Sequence, residues 1–255
     1  MIIFVSKTGN NLNRTPFDIE HITTNLCMNP MYPRVSTAIP CTVLLDSGAY
    51  QDKNKPRVTF QQAYDRQVEF QRKLGYRAKY IAAYDMIGNK EQTMMANNFL
   101  LGIQLPPLQQ RILIVQGDIK EEYSTCLHDL LALSKTNSFV LGFGGISRIS
   151  RSKKLQEKLQ FATSENRNEF NNIIHIHLFG VLSVKMLKWF EQLFPNHFLS
   201  CDTAGIELKS VHGVVFNNGV WVKQFCREQK YIDYHPCTLA KENIRKVVEY
   251  FGEIE

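Results

Sequence analysis

The sequence predicts an α/β barrel, on two observations. Short apolar runs alternate with helix-length stretches along the chain, the rhythm of a parallel sheet. Acidic or amide side chains fall at the C-terminal ends of several of those runs, and in an α/β barrel all such ends converge on one mouth. The most informative pair is Asp46 and Asp202. Val43-Leu44-Leu45-Asp46-Ser47-Gly48 and Phe198-Leu199-Ser200-Cys201-Asp202-Thr203 are hydrophobic runs, far apart in sequence, that each reach a carboxylate and then a turn. Two such carboxylates can divide nucleophilic and acid/base work in a displacement reaction.

The clear strands span 42–46, 80–85, 112–116, 139–143, 173–179 and 197–202. They are short, apolar and mostly non-alternating, as strands buried on both faces should be. Helices are expected over 59–74, 90–101, 119–134, 153–161 and 183–194, with Thr59 and Ser183 as N-caps. Residues 2–6 supply a seventh strand. The eighth is left to irregular chain or to the C-terminal region. A doubly wound open sheet is the rival architecture, but no GxGxxG follows the first strand, which weakens a dinucleotide-binding version. Val214-Val215-Phe216-Asn217-Asn218-Gly219-Val220-Trp221-Val222 places two β runs around Asn-Gly, a hairpin signal, within 211–225. A closing helix follows over 238–251. Pro106-Pro107 stops a helix before a strand. There is no internal repeat, low-complexity tract or linker, so one domain is expected over 1–255.

Composition agrees. A chain of 255 residues suits one α/β barrel or two small domains, and 44% apolar content supports a sizeable core, so disorder is not expected. The net charge of +6 and pI of about 8.9 are compatible with a polyanionic partner without specifying one. No run approaches the roughly 18 consecutive apolar residues of a membrane span, and residues 1–5 are too short for a signal-peptide core. The six cysteines are Cys27, Cys41, Cys126, Cys201, Cys226 and Cys237, and none forms a CxxC pair. Cys41 and Cys201 fall in expected strands and read as buried thiols. A cytoplasmic protein with no membrane partner is expected.

In order, the strand ends read Asp46-Ser47-Gly48, Ala83-Tyr84-Asp85, Val115-Gln116-Gly117-Asp118, Gly142-Phe143-Gly144-Gly145, Leu178-Phe179-Gly180-Val181 and Cys201-Asp202. This series resembles the tRNA-guanine transglycosylases and their DNA-acting relatives. That family's DSG-aromatic-Gln resembles Asp46-Ser47-Gly48-Ala49-Tyr50-Gln51. Its strand-end Asp resembles Asp85, its VQG Val115-Gln116-Gly117, its Gly-rich turn Leu141 to Gly145, its GVG segment Phe179-Gly180-Val181 and its catalytic Asp segment Ser200-Cys201-Asp202. The resemblance covers about residues 41–225.

It implies a modified (β/α)8 barrel that exchanges guanine in a nucleic acid for a 7-deazaguanine. Asp202 would be the nucleophile that displaces guanine from the anomeric carbon, and Asp46 the acid/base group. Asp85 would accept from the guanine N–H edge. Gln116 and a backbone N–H of Gly144 or Gly145 would meet its carbonyl. Ser47, Gly48, Gly117 and Gly180 would line the substrate, and Tyr50 would stack on the base.

Two departures narrow the resemblance. The tRNA enzymes carry three closely spaced cysteines and a later histidine for zinc. Only Cys226, His235 and Cys237 stand here, short of a four-ligand site, so no cofactor is expected and zinc least of all. The tRNA enzymes also place arginines just after the catalytic Asp, whereas Thr203-Ala204-Gly205-Ile206-Glu207-Leu208-Lys209 has none. The chain is therefore most similar to the short DNA 7-deazaguanine transglycosylases of phages and bacterial DNA-modification islands. Their substrates are DNA and 7-cyano-7-deazaguanine or a close relative, with room for accessory modification proteins. A zinc-free tRNA enzyme, a non-catalytic partner subunit and a barrel glycosidase using the same carboxylates remain the alternatives.

Each residue also has a plainer reading. Asp46 could cap an Asp-Ser-Gly turn, Asp85 a turn of its own, Gln116 could be a buried amide, and glycines 142, 144 and 145 could serve a tight turn. His175 and His177 alternate in a strand and share a face; paired histidines can bind metal, but the sequence places no third ligand, and a satisfied pair inside the barrel or toward a helix is the plainer reading. Arg148, Arg151, Lys153 and Lys154 form a basic run beyond a strand end. They are candidates for phosphate contact, since two of them open a helix whose dipole they oppose. Arg72, Lys73, Arg77 and Lys79 precede a strand and should lie away from the mouth. Met86, Met94 and Met95 read as core.

Overall fold

Eight parallel strands pair in chain order and close on themselves. They are β1 (Ile2–Ser6), β2 (Asn25–Met28), β3 (Thr42–Leu45), β4 (Tyr80–Ala82), β5 (Gln110–Val115), β6 (Val140–Phe143), β7 (His175–Leu178) and β8 (Phe198–Thr203). β1 pairs with both β2 and β8, with Phe4 opposite Asn25 on one side and Asp202 on the other, and this closes the ring. The computed structural model describes residues 1–6, 25–28, 42–49, 58–75, 77–147, 149, 152–181, 183–203, 206, 209–210, 212–225 and 236–251. From β3 onward helices alternate with the strands: α1 (Phe60–Leu74), α2 (Lys90–Gly102), α3 (Lys120–Leu133), α4 (Lys153–Glu165) and α5 (Val184–Leu193). A 3-10 turn at Arg167–Asn172 leads into β7. The hairpin β9 (Val214–Asn217) and β10 (Val220–Lys223) is antiparallel, and α6 (Pro236–Phe251) follows it. The predicted α/β barrel, hairpin and closing helix are all present.

The near-continuous apolar strands follow from burial on both faces. Phe4, Cys27, Leu44, Tyr80, Ala82, Ile112, Ile114 and Val140 fill the interior of the barrel. Their sequence neighbours, among them Leu45, Ile81, Leu113 and Leu141, join the larger core, where α3 and α5 add Tyr123, Leu127 and Phe190. Alternation along each strand thus divides the side chains between two cores.

Three expectations need correction. The eighth strand is β2, Asn25–Met28, between β1 and β3, rather than irregular chain or a segment near the C-terminus. Only four residues long, it has too little pattern to show periodicity. Ser183 occupies the N-cap position of α5 but makes no side-chain cap bond, whereas Thr59 caps α1 in a reciprocal box with Gln62. Met95 is 55% exposed and not core, while Met86 and Met94 are partly buried. Its position on α2 turns it outward while Thr93, Ala96 and Asn97 face in. Arg72 and Lys73 end α1 just before β4, at the face opposite the mouth, as expected.

Helix side chains reach back to fix the strand ends. Gln67, buried on α1, donates Nε2 to the carbonyls of Asp46 (3.1 Å) and Ala82 (2.9 Å), joining the ends of β3 and β4. Asn97 on α2 donates to Ile114 O and accepts from Ile114 N, both at 2.9 Å. Thr93 accepts from the Met86 N–H and donates to the Met86 carbonyl, holding the turn after Asp85. Among the described residues, no helix is long and apolar enough to cross a membrane.

Candidate active site

The C-terminal ends of β3, β4, β5, β6, β7 and β8 bring Asp46, Asp85, Gln116, Gly144, Gly145, Gly180 and Asp202 to one mouth. Asp46 follows β3 directly. Asp85 stands three residues past β4, and Asp202 lies within β8, one residue from its end.

Asp46 lies close enough to Asp85 and Asp202 to feel both carboxylates. Burial, then the charges of Asp85 and Asp202, push the Asp46 carboxyl up from 3.8 to about 7, against the lowering effect of the Ser47 and Gly48 N–H groups. The Ser47 N–H donates to Asp46 Oδ1 at 2.8 Å. Burial also raises the Asp85 carboxyl, opposed by donors that favour its charged form: Gln116 Nε2 at 2.6 Å and, more weakly, Ser47 Oγ at 3.5 Å.

Gln116 is fully buried, and its setting explains the glycines around it. A Cβ on Gly144 would lie 2.5 Å from Gln116 Nε2, and one on Gly145 would lie 2.9 Å from Oε1. The amide therefore lies flat across a side-chain-free turn. The Gly144 N–H already donates to Val115 O at 3.1 Å. Of the two backbone N–H groups expected to meet a base carbonyl, that of Gly144 is therefore already engaged within the barrel. Gly88 N donates to Gln116 Oε1 at 3.4 Å, which sets the flip of the amide and points Nε2 at Asp85.

The outer shell of this turn is also built. Tyr123 on α3 is buried and donates its hydroxyl to Gly144 O at 3.1 Å. Lys158 on α4 donates Nζ to Gly117 O at 2.8 Å and sits 4.7 Å from the Tyr123 ring centroid. Gly117 is buried against α3, where a Cβ would stand 2.5 Å from Tyr123 N.

Asp202 accepts at Oδ1 from the Gly180 N–H at 2.9 Å, and His177 Nε2 lies 3.4 Å from the same oxygen. Gly180 has φ +72°, and a Cβ there would meet Ser147 Cβ at 2.7 Å, so glycine is required to aim its N–H at the carboxylate. His175 and His177 face the barrel interior, the former against Tyr80 and the latter against Phe4 and Phe179. The shared face was legible in the alternation. The contact with Asp202 was missed, because it depends on the β7–β8 register that sets His177 opposite Ser200.

Lys153 and Lys154 open α4 on the mouth side and are exposed; Lys153 pairs loosely with Glu157 at 3.8 Å. Tyr50, Arg148, Arg151, Cys41, Cys226 and His235 lie outside the described residues, as does the side chain of Cys237. Among the described residues no group of three or more His, Cys, Asp or Glu side chains is arranged to hold a metal ion.

Fold and site together define a parallel (β/α)8-like barrel with acidic and amide groups convergent at its C-terminal mouth, where barrel enzymes carry their chemistry. No family model matches the chain, and a comparison with curated proteins found no match.

Proposed function

We propose that the protein is a base-exchange transglycosylase that replaces guanine in DNA with a 7-deazaguanine such as 7-cyano-7-deazaguanine. One observation carries the reading. An ordinary carboxylate, Asp46, is tuned to about 7 beside a second carboxylate, Asp202, that is held by a backbone N–H. That is the division of labour of an acid/base group and a nucleophile.

An Asp202 oxygen attacks C1′ of the target nucleotide as the C1′–N9 bond breaks. The bonding pair leaves on guanine, which takes a proton from the Asp46 carboxyl. The product is a covalent Asp202–sugar intermediate with Asp46 ionised. The incoming base gives its ring proton to Asp46 and attacks C1′, and Asp202 departs as a carboxylate. Every proton and electron pair is returned, so the exchange needs no cofactor. Asp85 and Gln116 supply the purine edge: the carboxylate accepts from N1–H and N2–H, and the amide donates its second hydrogen to O6. A glycosidase with the same two carboxylates has no need of that edge, which favours the nucleobase reading.

DNA is favoured over tRNA because residues 203–209 carry no arginine. A target base must leave its stack to reach the mouth, at a few kcal/mol in duplex and less in single strands. The test offers labelled guanine or 7-cyano-7-deazaguanine with single-stranded DNA, duplex DNA and tRNA. Incorporation into DNA, fastest in single strands, supports the reading. Incorporation into tRNA alone would overturn the choice of polymer, and incorporation into neither would overturn the activity.

A further inference from the structure

Inside the barrel, below Asp202, a polar column stands beside the apolar interior residues Phe4, Leu44, Ile112 and Ile114. Ser200 is fully buried on β8, and its single hydroxyl is approached by two imidazoles from β7. His175 Nε2 lies 2.6 Å from Ser200 Oγ, and His177 Nδ1 lies 2.8 Å from it. His177, with no exposed surface, then turns its other nitrogen toward Asp202 Oδ1. We propose that His175, Ser200 and His177 form a directed hydrogen-bond chain that positions Asp202 by fixing His177 as the Nε2–H tautomer, a role that rests on Asp202 being the nucleophile proposed above.

With His177 neutral, as the proposed tautomer requires, counting hydrogens sets the direction. An ionised Asp202 can only accept, so His177 Nε2 must carry a hydrogen. A neutral His177 then presents a lone pair at Nδ1, which takes the one hydrogen of Ser200. Ser200 Oγ is left to accept from His175 Nε2–H. His175 is held neutral: burial first, then the neighbouring His177 and Lys79, push it down to about 3. All links run one way, toward the carboxylate.

The last link, at 3.4 Å, is the long one, and the Gly180 N–H at 2.9 Å is the stronger donor to the same oxygen. His177 therefore acts by steering the carboxyl plane that Gly180 anchors. A column that only satisfied buried polar groups would have no reason to end on a carboxylate at the mouth. The residues are positioning groups, because none of them except Asp202 stands where substrate would.

The test combines a spectrum and a rate. Protein labelled with ¹⁵N-histidine, with His177 assigned by its loss in His177→Gln, should give the Nε2–H pattern for both His175 and His177 in the wild type. Ser200→Ala should scramble the His177 tautomer. It should slow covalent adduct formation with single-stranded DNA by about tenfold or more, the scale of one hydrogen bond to a charged group, while DNA affinity holds. Ser200→Thr, which keeps the hydroxyl, should restore both. His177→Gln places an amide nitrogen where Nε2 stood, so adding Ser200→Ala to it should have no further effect on the rate, a non-additivity that marks one chain. An Nδ1–H tautomer in the wild type, or an unchanged rate in Ser200→Ala, overturns the proposal. If the wild type forms no adduct at all, the transglycosylase reading fails, while the tautomer spectrum still decides whether the chain exists.

Discussion

Gln116 donates Nε2 to Asp85 at 2.6 Å across the adjacent ends of β4 and β5, and it does so over Gly144, where no side chain could fit. The pair presents an acceptor and a donor side by side, the pattern that the proposed reading needs for one edge of guanine. Replacing Gly144 with Ala would push a methyl against the amide nitrogen and displace it. The expected outcome is a rise of about tenfold or more in KM for the free base, from the loss of one buried hydrogen bond, with little change in DNA affinity. Steady-state kinetics against base and against DNA separates the two; equal losses in both would contradict the assignment of this edge to the base.

Asp46 should govern the pH dependence of the two half-reactions in opposite senses. Displacing guanine needs the protonated carboxyl, so adduct formation should decline as pH rises through about 7. Releasing the adduct to an incoming base needs the carboxylate, so that step should decline as pH falls through the same value. Asp46→Asn should lower both rates by roughly 10²- to 10⁴-fold, the usual contribution of a positioned acid/base group. Single-turnover profiles of each half-reaction check this, and two flat profiles would assign Asp46 to its turn alone.

The same shift has a consequence for stability that needs no substrate. Asp46 binds its proton more tightly in the folded chain than in the unfolded one. Folded protein therefore holds an extra proton between 3.8 and about 7 and loses stability as pH rises through that window. At roughly 1.4 kcal/mol per pKa unit the loss has an upper bound on the order of 4 kcal/mol. Asp46→Asn should melt higher than the wild type at pH 8 and not at pH 4. Thermal melts at both pH values test this; a variant less stable at pH 8 would mean that the carboxylate is welcome where it sits.

Lys153 and Lys154 open α4 on the mouth side, in a first turn with no acidic residue. If they hold a DNA backbone, the double alanine variant should weaken binding across all sequences. It should reduce the slope of log affinity against log salt by about one to two. A salt titration measures this directly, and an unchanged slope would mean that both lysines only solvate the start of α4.

Much of this site could be read from strand ends. Asp46, Asp85, Gln116, Gly144 and Asp202 each close or follow a short apolar run, and a closed parallel sheet delivers such positions to one face whatever its exact register. What could not be read depends on register or on helix rotation. The chain from His175 through Ser200 to Asp202 requires His177 to lie opposite Ser200, a pairing that β7 and β8 settle only in three dimensions. Gln67 and Asn97 brace strand ends from the buried faces of α1 and α2; a polar residue on a helix's buried stripe was the available signal. β2 escaped notice because Asn25–Met28 is too short to show a period.

The covalent intermediate is the most direct test of the central claim. Wild-type protein would be incubated with single-stranded DNA, denatured, digested, and the adducted peptide identified by mass spectrometry. The adduct should sit on Asp202, be absent from Asp202→Asn, and disappear when 7-cyano-7-deazaguanine is added as the modified DNA accumulates. Base exchange by Asp202→Asn at the wild-type rate, or an adduct on another residue, would contradict it.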